Sequence, residues 1–148
     1  MQAQDPNFES RVRESFARQR LMQTLGAELT LVEPGVVEIE LPYRADLTQQ
    51  HGFLHAGVVA SVLDTACGYA AFSLMPAGAA VLSIEFKVNL LAPARGERLV
   101  ARAEVKRAGR TVTVCAADAD AFEGGRSKTV ATMLATIMRV EGRGDLVG

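Results

Sequence analysis

One acidic side chain stands out by its position in the chain. Asp64 is the only formally charged residue between Asp46 and Glu85, and it lies in the middle of the most apolar stretch. A buried carboxylate is costly, so such a residue either has a structural partner, a backbone N–H or an Arg, or takes part in chemistry. Partly apolar surroundings make a carboxylate a better general base. Asp64 is therefore the candidate catalytic carboxylate.

A second candidate feature lies at the start of the same apolar stretch. Ala56 and Gly57 follow His55 and open the predicted helix that carries Asp64. The free backbone N–H groups and the positive dipole end of a helix can stabilise a carbonyl oxygen that gains negative charge. A small residue there often only eases a turn, but Asp64 on the same helix favours a site for acyl chemistry.

The spacing of these two features limits how they can cooperate. Asp64 follows Ala56 by eight residues, which is about 12 Å along a helix. One substrate carbonyl cannot contact both from a single helix. A second, antiparallel copy of the helix would bring its Asp64 to the first copy's N-terminus. If both features serve one carbonyl, the spacing predicts a twofold homodimer with two sites at the subunit interface.

The elements that must position these residues form one predicted α+β domain over residues 1–148. Phe8, Val12 and Phe16 predict an N-terminal helix over about 5–22, and the tail 141–148 is expected to fray. Apolar alternation predicts strands, at 27–33, 36–42, 82–90, 97–107, 110–122 and 128–140. Short turns between the later strands favour antiparallel pairing, so the sheet should curve around one central apolar helix.

Composition excludes several classes of function. A formal net charge of −1 and the absence of Trp give no basis for binding nucleic acid or an anionic membrane. Residues 56–75 could span a bilayer by length, but Asp64 and the lack of flanking cations favour a buried helix. The first residues do not resemble a signal peptide, and two cysteines suit a reduced compartment, so we expect a cytoplasmic protein.

The run HAGVVASVLDTACG, residues 55–68, resembles the hotdog-fold acyl-CoA thioesterases of the phenylacetate-pathway (PaaI-like) type. His55 and Asp64 have the spacing of the His and the acidic residue in the motif of that family. Gln49 and Gly52 occupy the positions that the motif specifies before the His. Ser83, followed by Ile84 and Glu85, matches the start of the next strand. The resemblance covers about residues 27–140, implies the hotdog fold, and implies hydrolysis of an acyl-CoA or aryl-CoA thioester.

The resemblance also implies a role for each residue of the motif. Asp64 would be the general base or the nucleophile, and the Ala56 N–H would polarise the thioester carbonyl. Gln49 would orient the carbonyl or the water, His55 would support the loop or the substrate, and Ser83 would hold the water or Asp64. Oligomers built as a dimer of dimers are common in this family.

A cationic turn is the predicted contact for the CoA phosphates. Arg107, Gly109, Arg110 and Thr111 surround a hairpin tip whose backbone N–H groups are expected to be free. Such a tip is usually only solvated, but Arg suits phosphate oxygens, and the family uses this turn for that contact.

Other chemistries have less support from the residues. His51 and His55 are too few for a metal site, and no cofactor is expected. A hotdog dehydratase or hydratase remains an alternative, although its His–carboxylate pair is spaced differently. A non-catalytic acyl-CoA-binding protein is the other alternative, and such a protein would have no need of Asp64.

Overall fold

The computed structural model describes residues 1–146 and 148. Two helices come first, α1 (Phe8–Ala17) and α2 (Arg20–Leu25), and one long helix, α3 (Ala56–Phe72), lies between the second and third strands. The strands are β1 (Glu28–Glu33), β2 (Val36–Pro42), β3 (Ala80–Leu90), β4 (Arg98–Ala108), β5 (Val112–Glu123) and β6 (Arg126–Val140). The predicted frayed tail, 141–148, includes Val147, which lies outside the described residues.

The six strands form one antiparallel sheet in the order β1-β2-β4-β5-β6-β3. Helix α3 packs against β2, β3, β4, β5 and β6. The predicted α+β hotdog architecture, a curved antiparallel sheet around one long apolar helix, is therefore confirmed. None of the described helices is both long and apolar enough to cross a membrane.

Small side chains let α3 approach the sheet closely. Val62, Leu63 and Ala66 of α3 are fully buried against it. The strand residues beneath them are largely alanines, namely Ala101, Ala103, Ala117, Ala119, Ala131 and Ala135. An all-round apolar helix must be covered on several sides, and a curved sheet with a shallow inner surface provides much of that cover.

The prediction of a single N-terminal helix over about 5–22 is wrong. The chain leaves helical geometry at Gln19, whose φ of −80° and ψ of 100° separate α1 from α2. Val12 of α1 and Leu25 of α2 are both buried. In one straight helix these residues would point about 140° apart, at 3.6 residues per turn. The break allows both to reach the core, at a point with neither Gly nor Pro.

Arg11 fixes the N-terminal helices to the end of α3. Its guanidinium donates to the carbonyl oxygens of Phe72, Met75 and Pro76 at 3.3, 2.7 and 2.9 Å. Its Nε lies 3.0 Å from the Asp5 carboxylate, and the guanidinium stacks 4.2 Å from the centre of the Phe72 ring. These contacts bind carbonyl oxygens of the last residue of α3 and of the segment after it, and they hold α1 over the last turns of α3.

A β-bulge changes the phase of β3. Ser83 pairs with Ile137 and Glu85 with Thr136, which leaves Ile84 as the extra residue. Cross-strand partners share a face of the sheet, so Ser83 lies on the helix side with the buried Ile137, and Phe86 lies there with the buried Ala135. The strict alternation of apolar and polar residues in the sequence predicts Ser83 on the outer face. The bulge turns Ser83 inward while the residues after it keep their apolar side inward.

Candidate active site

Asp64 is half-buried on α3 and is held by β3. The hydroxyl of Ser83 donates a hydrogen bond of 2.7 Å to its Oδ1. Both residues line a cavity of about 250 Å³ whose other lining residues come from α1, α3 and β3, together with Gln19 in the break after α1 and Gly148. The hydrogen bond fixes the orientation of the carboxylate and occupies one of its oxygens, so the second oxygen remains available to accept a proton or to attack a substrate.

A polar cluster that sequence reasoning did not identify lines the same cavity. The Thr65 hydroxyl donates to Oε1 of Gln19 at 3.3 Å, and Nε2 of Gln19 lies 3.5 Å from the Tyr69 hydroxyl. Ser15 Oγ lies 3.2 Å from the same hydroxyl. Burial raises the pKa of Tyr69 above its ordinary value, which keeps its hydroxyl protonated. No sequence pattern marks Ser15 or Gln19.

Gln49 and Ala56 line a different cavity, of about 420 Å³. The His51 N–H donates to Oε1 of Gln49, which leaves the Nε2 group of that amide as the free donor. Within residues 1–146 and 148, the Ala56 N–H donates to no acceptor. Two unused N–H donors therefore border one cavity, as stabilisation of a carbonyl oxygen requires.

His55 is the N-cap of α3. Its Nδ1 accepts a hydrogen bond of 2.8 Å from the Gly57 N–H. A ring nitrogen that accepts carries no proton, so the proton of the neutral ring is on Nε2. The bond satisfies one orphan donor of the first turn and leaves the Ala56 N–H exposed. The prediction that the Gly57 N–H is free is therefore wrong, because this N–H donates to His55.

The two candidate features stay apart within one chain. The cavity of Asp64 and Ser83 shares no lining residue with the cavity of Gln49 and Ala56. Helix α3 runs between them, and the eight residues from Ala56 to Asp64 span about 12 Å.

The predicted phosphate-binding turn lies at the tip between β4 and β5. Arg107, Gly109, Arg110 and Thr111 are all exposed. Across the described residues, neither arginine forms an ion pair. The expectation of free N–H groups is wrong at Gly109, because its N–H donates to the Val112 carbonyl at 2.9 Å to close the hairpin.

A second group of cations lies at the opposite end of the sheet. Arg95, Arg126 and Lys128 line a groove of about 580 Å³. Phe53, Pro93 and Val130 line both this groove and the cavity of Gln49 and Ala56, so the two spaces adjoin. Sequence reasoning did not single out these cations, because they are separated along the chain.

The comparisons with known proteins identify the family. A sequence profile described as the Thioesterase superfamily matches residues 51–142, which include Asp64, Ala56, Ser83 and the turn at 107–111. The chain belongs to the thioesterase superfamily. A crystal structure of a thioesterase family protein from Silicibacter pomeroyi is 58% identical, with a TM-score of 0.90, and the match covers 91% of this chain and 99% of that one.

Two relatives of lower identity and one more distant solved structure are also similar to this chain. A candidate esterase of Halobacterium salinarum is 37% identical over 99 residues, which are 64% of this chain and just under two thirds, 65%, of that one. The 1,4-dihydroxy-2-naphthoyl-CoA hydrolase of Listeria monocytogenes is 28% identical over 64% of this chain and 76% of that one. The PaaI protein of E. coli shares the fold, with 22% identity, a TM-score of 0.82, and coverage of 92% and 95%.

Among residues 1–146 and 148, no three His, Cys, Asp or Glu side chains lie together as metal ligands would.

The contact between His55 and Gly57 can be tested by a double-mutant cycle. A Cβ on Gly57 would lie 3.0 Å from Nδ1 and 3.3 Å from Cε1 of His55, so Gly57→Ala must displace the imidazole from its cap. Loss of an N-cap costs about 1 kcal/mol of stability. We expect urea unfolding to give a coupling energy of about that size between Gly57→Ala and His55→Ala. Additive effects of the two substitutions would contradict the cap.

Proposed function

We propose that this protein hydrolyses an acyl-CoA or aryl-CoA thioester to the free acid and CoA. The observation that carries the proposal is the Asp64 carboxylate, held by the Ser83 hydroxyl at the wall of a cavity in an otherwise apolar helix. The family to which the chain belongs supports thioester cleavage as the reaction. The name of the Listeria relative supports CoA as the thiol.

The residues around Asp64 suit two related reaction courses. As a general base, Asp64 would take a proton from water while the water oxygen attacks the thioester carbon. As a nucleophile, its free oxygen would attack that carbon, release CoA thiolate, and form an anhydride that water then opens. In both courses the carbonyl oxygen becomes negative, and the Ala56 N–H and the Gln49 amide would stabilise it.

The donors and the carboxylate would meet across a homodimer interface. Among the described strands, β3 pairs with β6 alone, so its other edge is free along eleven residues in that part of the chain. Ile84, Phe86 and Leu90 on this strand are 52%, 45% and 55% exposed in the single chain. A long, apolar, unpaired edge is a surface for pairing with another strand. Antiparallel pairing of two copies of β3 would also set the two α3 helices antiparallel, as the shared site needs.

Dimers could assemble further into the predicted dimer of dimers. The outer face of the sheet offers apolar side chains at adjacent register positions, Leu82 beside Met138 and Met138 beside Val112. Leu82 and Val112 are 43% and 40% exposed. Pairing through β3 sets the two α3 helices antiparallel, so we propose that dimerisation through β3 is the step that builds the site.

The CoA phosphates are assigned to the tip between β4 and β5. Thr113, Ile137 and Ser83 lie opposite one another on adjacent strands, so the tip is at the same end of the sheet as Asp64. Ala108 pairs with Thr113, which puts the base of the tip three strand spacings from Ser83, or about 14 Å. Arg107 and Arg110 would bind the phosphate oxygens with cations that no described acidic group neutralises.

Both cysteines are free and buried, as expected for the cytoplasmic location that we propose.

The reaction can be tested by the release of free thiol from a panel of acyl-CoAs. Asp64→Asn keeps the shape of the side chain and the contact with Ser83 but cannot act as a base or nucleophile. We expect at least a hundredfold loss of kcat, because proton transfer alone contributes about 10²–10⁴-fold. Asp118→Asn, an exposed carboxylate on the outer face, is the matched control. Full activity in Asp64→Asn, or no thiol release from any acyl-CoA by the wild type, would refute the proposal.

The shared site predicts that two defective variants complement each other. In a mixed dimer of Asp64→Asn and Gln49→Ala chains, one site carries both substitutions and the other carries neither. Random pairing makes half of the dimers mixed, so about one quarter of the wild-type activity should return. The measurement is thiol release after the two variants are unfolded together and refolded. A site contained within one chain would give only the mean of the two separate activities.

The assignment of the phosphates can be tested with paired double variants. Arg107→Ala with Arg110→Ala should raise KM for an acyl-CoA roughly tenfold, because charge-assisted contacts with phosphate are lost, and should leave KM unchanged for the same acyl group on pantetheine. The matched control is Arg126→Ala with Lys128→Ala in the groove at the other end of the sheet. A rise in KM confined to the second pair would move the phosphates to that groove.

A further inference from the structure

Gly68 occupies a position on α3 that packing does not explain. It is the thirteenth of the seventeen residues of the helix, and its φ is not in the left-handed region. Glycine destabilises the interior of a helix relative to alanine, since it loses more backbone freedom on folding. A Cβ built on Gly68 meets no heavy atom within 4 Å among the described residues, so no neighbour in the chain requires a glycine there.

The missing side chain opens space next to the candidate carboxylate. Gly68 follows Asp64 by four residues, so the two lie on the same face of α3, one turn apart. Both line the cavity of about 250 Å³ that also contains Ser83. Any larger residue at position 68 would project into that cavity. Glycine lowers the stability of α3 at a position where packing does not require it, so the space that it leaves in the cavity is available to a bound molecule.

The far wall of this space is polar although the helix is apolar. The Ser15 and Tyr69 hydroxyl oxygens lie 3.2 Å apart, and the Gln19 amide nitrogen lies 3.5 Å from the Tyr69 oxygen. Both contacts are longer than typical hydrogen bonds, which measure about 2.7–2.8 Å for O–H···O and about 2.9–3.0 Å for N–H···O. Such long contacts leave the cluster able to bond to another group. The break between α1 and α2 places Gln19 here, and Arg11 holds α1 over α3.

We propose that Gly68 is a specificity-determining residue. Because it has no side chain, it leaves open a subsite for the acyl group beside Asp64. Gln19 and Tyr69 close that subsite with a polar wall. The subsite admits an acyl chain past the carboxylate and favours one that ends in a hydrogen-bonding group, such as a hydroxyl. An apolar end would forgo a hydrogen bond with these groups, whose contacts with one another are long. The inference rests on the proposed thioester hydrolysis and adds a substrate class to it.

The space at Gly68 can be tested by filling it in two steps. We expect Gly68→Ala to raise the melting temperature, because alanine favours a helix and nothing blocks its Cβ. The same substitution should lower kcat/KM for octanoyl-CoA relative to acetyl-CoA by roughly tenfold, and Gly68→Val should lower that ratio further, since a methyl group in a binding pocket changes specificity by about 10–200-fold. Gly144→Ala, at a glycine that also has open space but lines no cavity described above, is the control.

The polar wall can be tested by removing one oxygen atom. Heptanoyl-CoA and ω-hydroxyhexanoyl-CoA have the same chain length, and a hydroxyl in one replaces a methyl in the other. The wild type should prefer the hydroxylated substrate in kcat/KM, and Tyr69→Phe should reduce that preference by roughly tenfold or more.

Several outcomes would overturn the inference while the proposed hydrolysis stands. They are an unchanged chain-length preference in both Gly68 variants, no preference for the hydroxyl in the wild type, and a changed oligomeric state in Gly68→Ala by light scattering. The last would mean that the space receives another chain. Failure of the proposed function is distinct, because Asp64→Asn would then retain thiol release.

Discussion

Helix α3 must be covered on almost every side, and this requirement organises the rest of the molecule. Its buried residues occupy most of the circumference, and Gly57, Ser61, Asp64 and Gly68 lie together on the remaining, less buried face. The N-terminal helices cover the end that holds Tyr69 and Phe72, fixed there by Arg11. At the other end, His55, Ala56 and Gly57 remain exposed in the single chain, beside the free edge of β3. The uncovered part of α3 and the unpaired strand are both surfaces that the proposed dimer would cover.

The bulge in β3 shows how one inserted residue reconciles two demands on a strand. The strand needs its apolar residues on the inner face, and Asp64 needs a hydrogen-bond donor from that face. Strict alternation cannot supply both, because Ser83 is out of phase with Phe86. The extra residue at Ile84 shifts the phase between them, so Ser83 reaches the carboxylate while Phe86 still faces inward.

The positions of strands and of α3 could be predicted because apolar periodicity records which face is buried. The bulge could not, since Ile84 is itself apolar and fits the alternating pattern that the structure breaks. The break at Gln19 could not be predicted either, because its neighbours in sequence favour a helix. Only the contacts of Val12 and Leu25 with the core decide where the helix is interrupted. The predicted donors at Gly57 and Gly109 failed for a related reason. Their N–H groups are satisfied by His55 and Val112, through local geometry that residue type alone does not specify.

The neighbours of Asp64, the lone charge of α3, differ between its two sides. Ser83 satisfies one oxygen of Asp64, and the glycine one turn later withholds a side chain from the space beside it. The polar groups of Gln19 and Tyr69 lie across that space rather than on the carboxylate. A purely structural Asp would be expected to be enclosed by donors, as Arg11 is enclosed by carbonyl groups at the end of the same helix. Asp64 is instead held on one side by Ser83 and left open on the other, as its proposed role in hydrolysis requires.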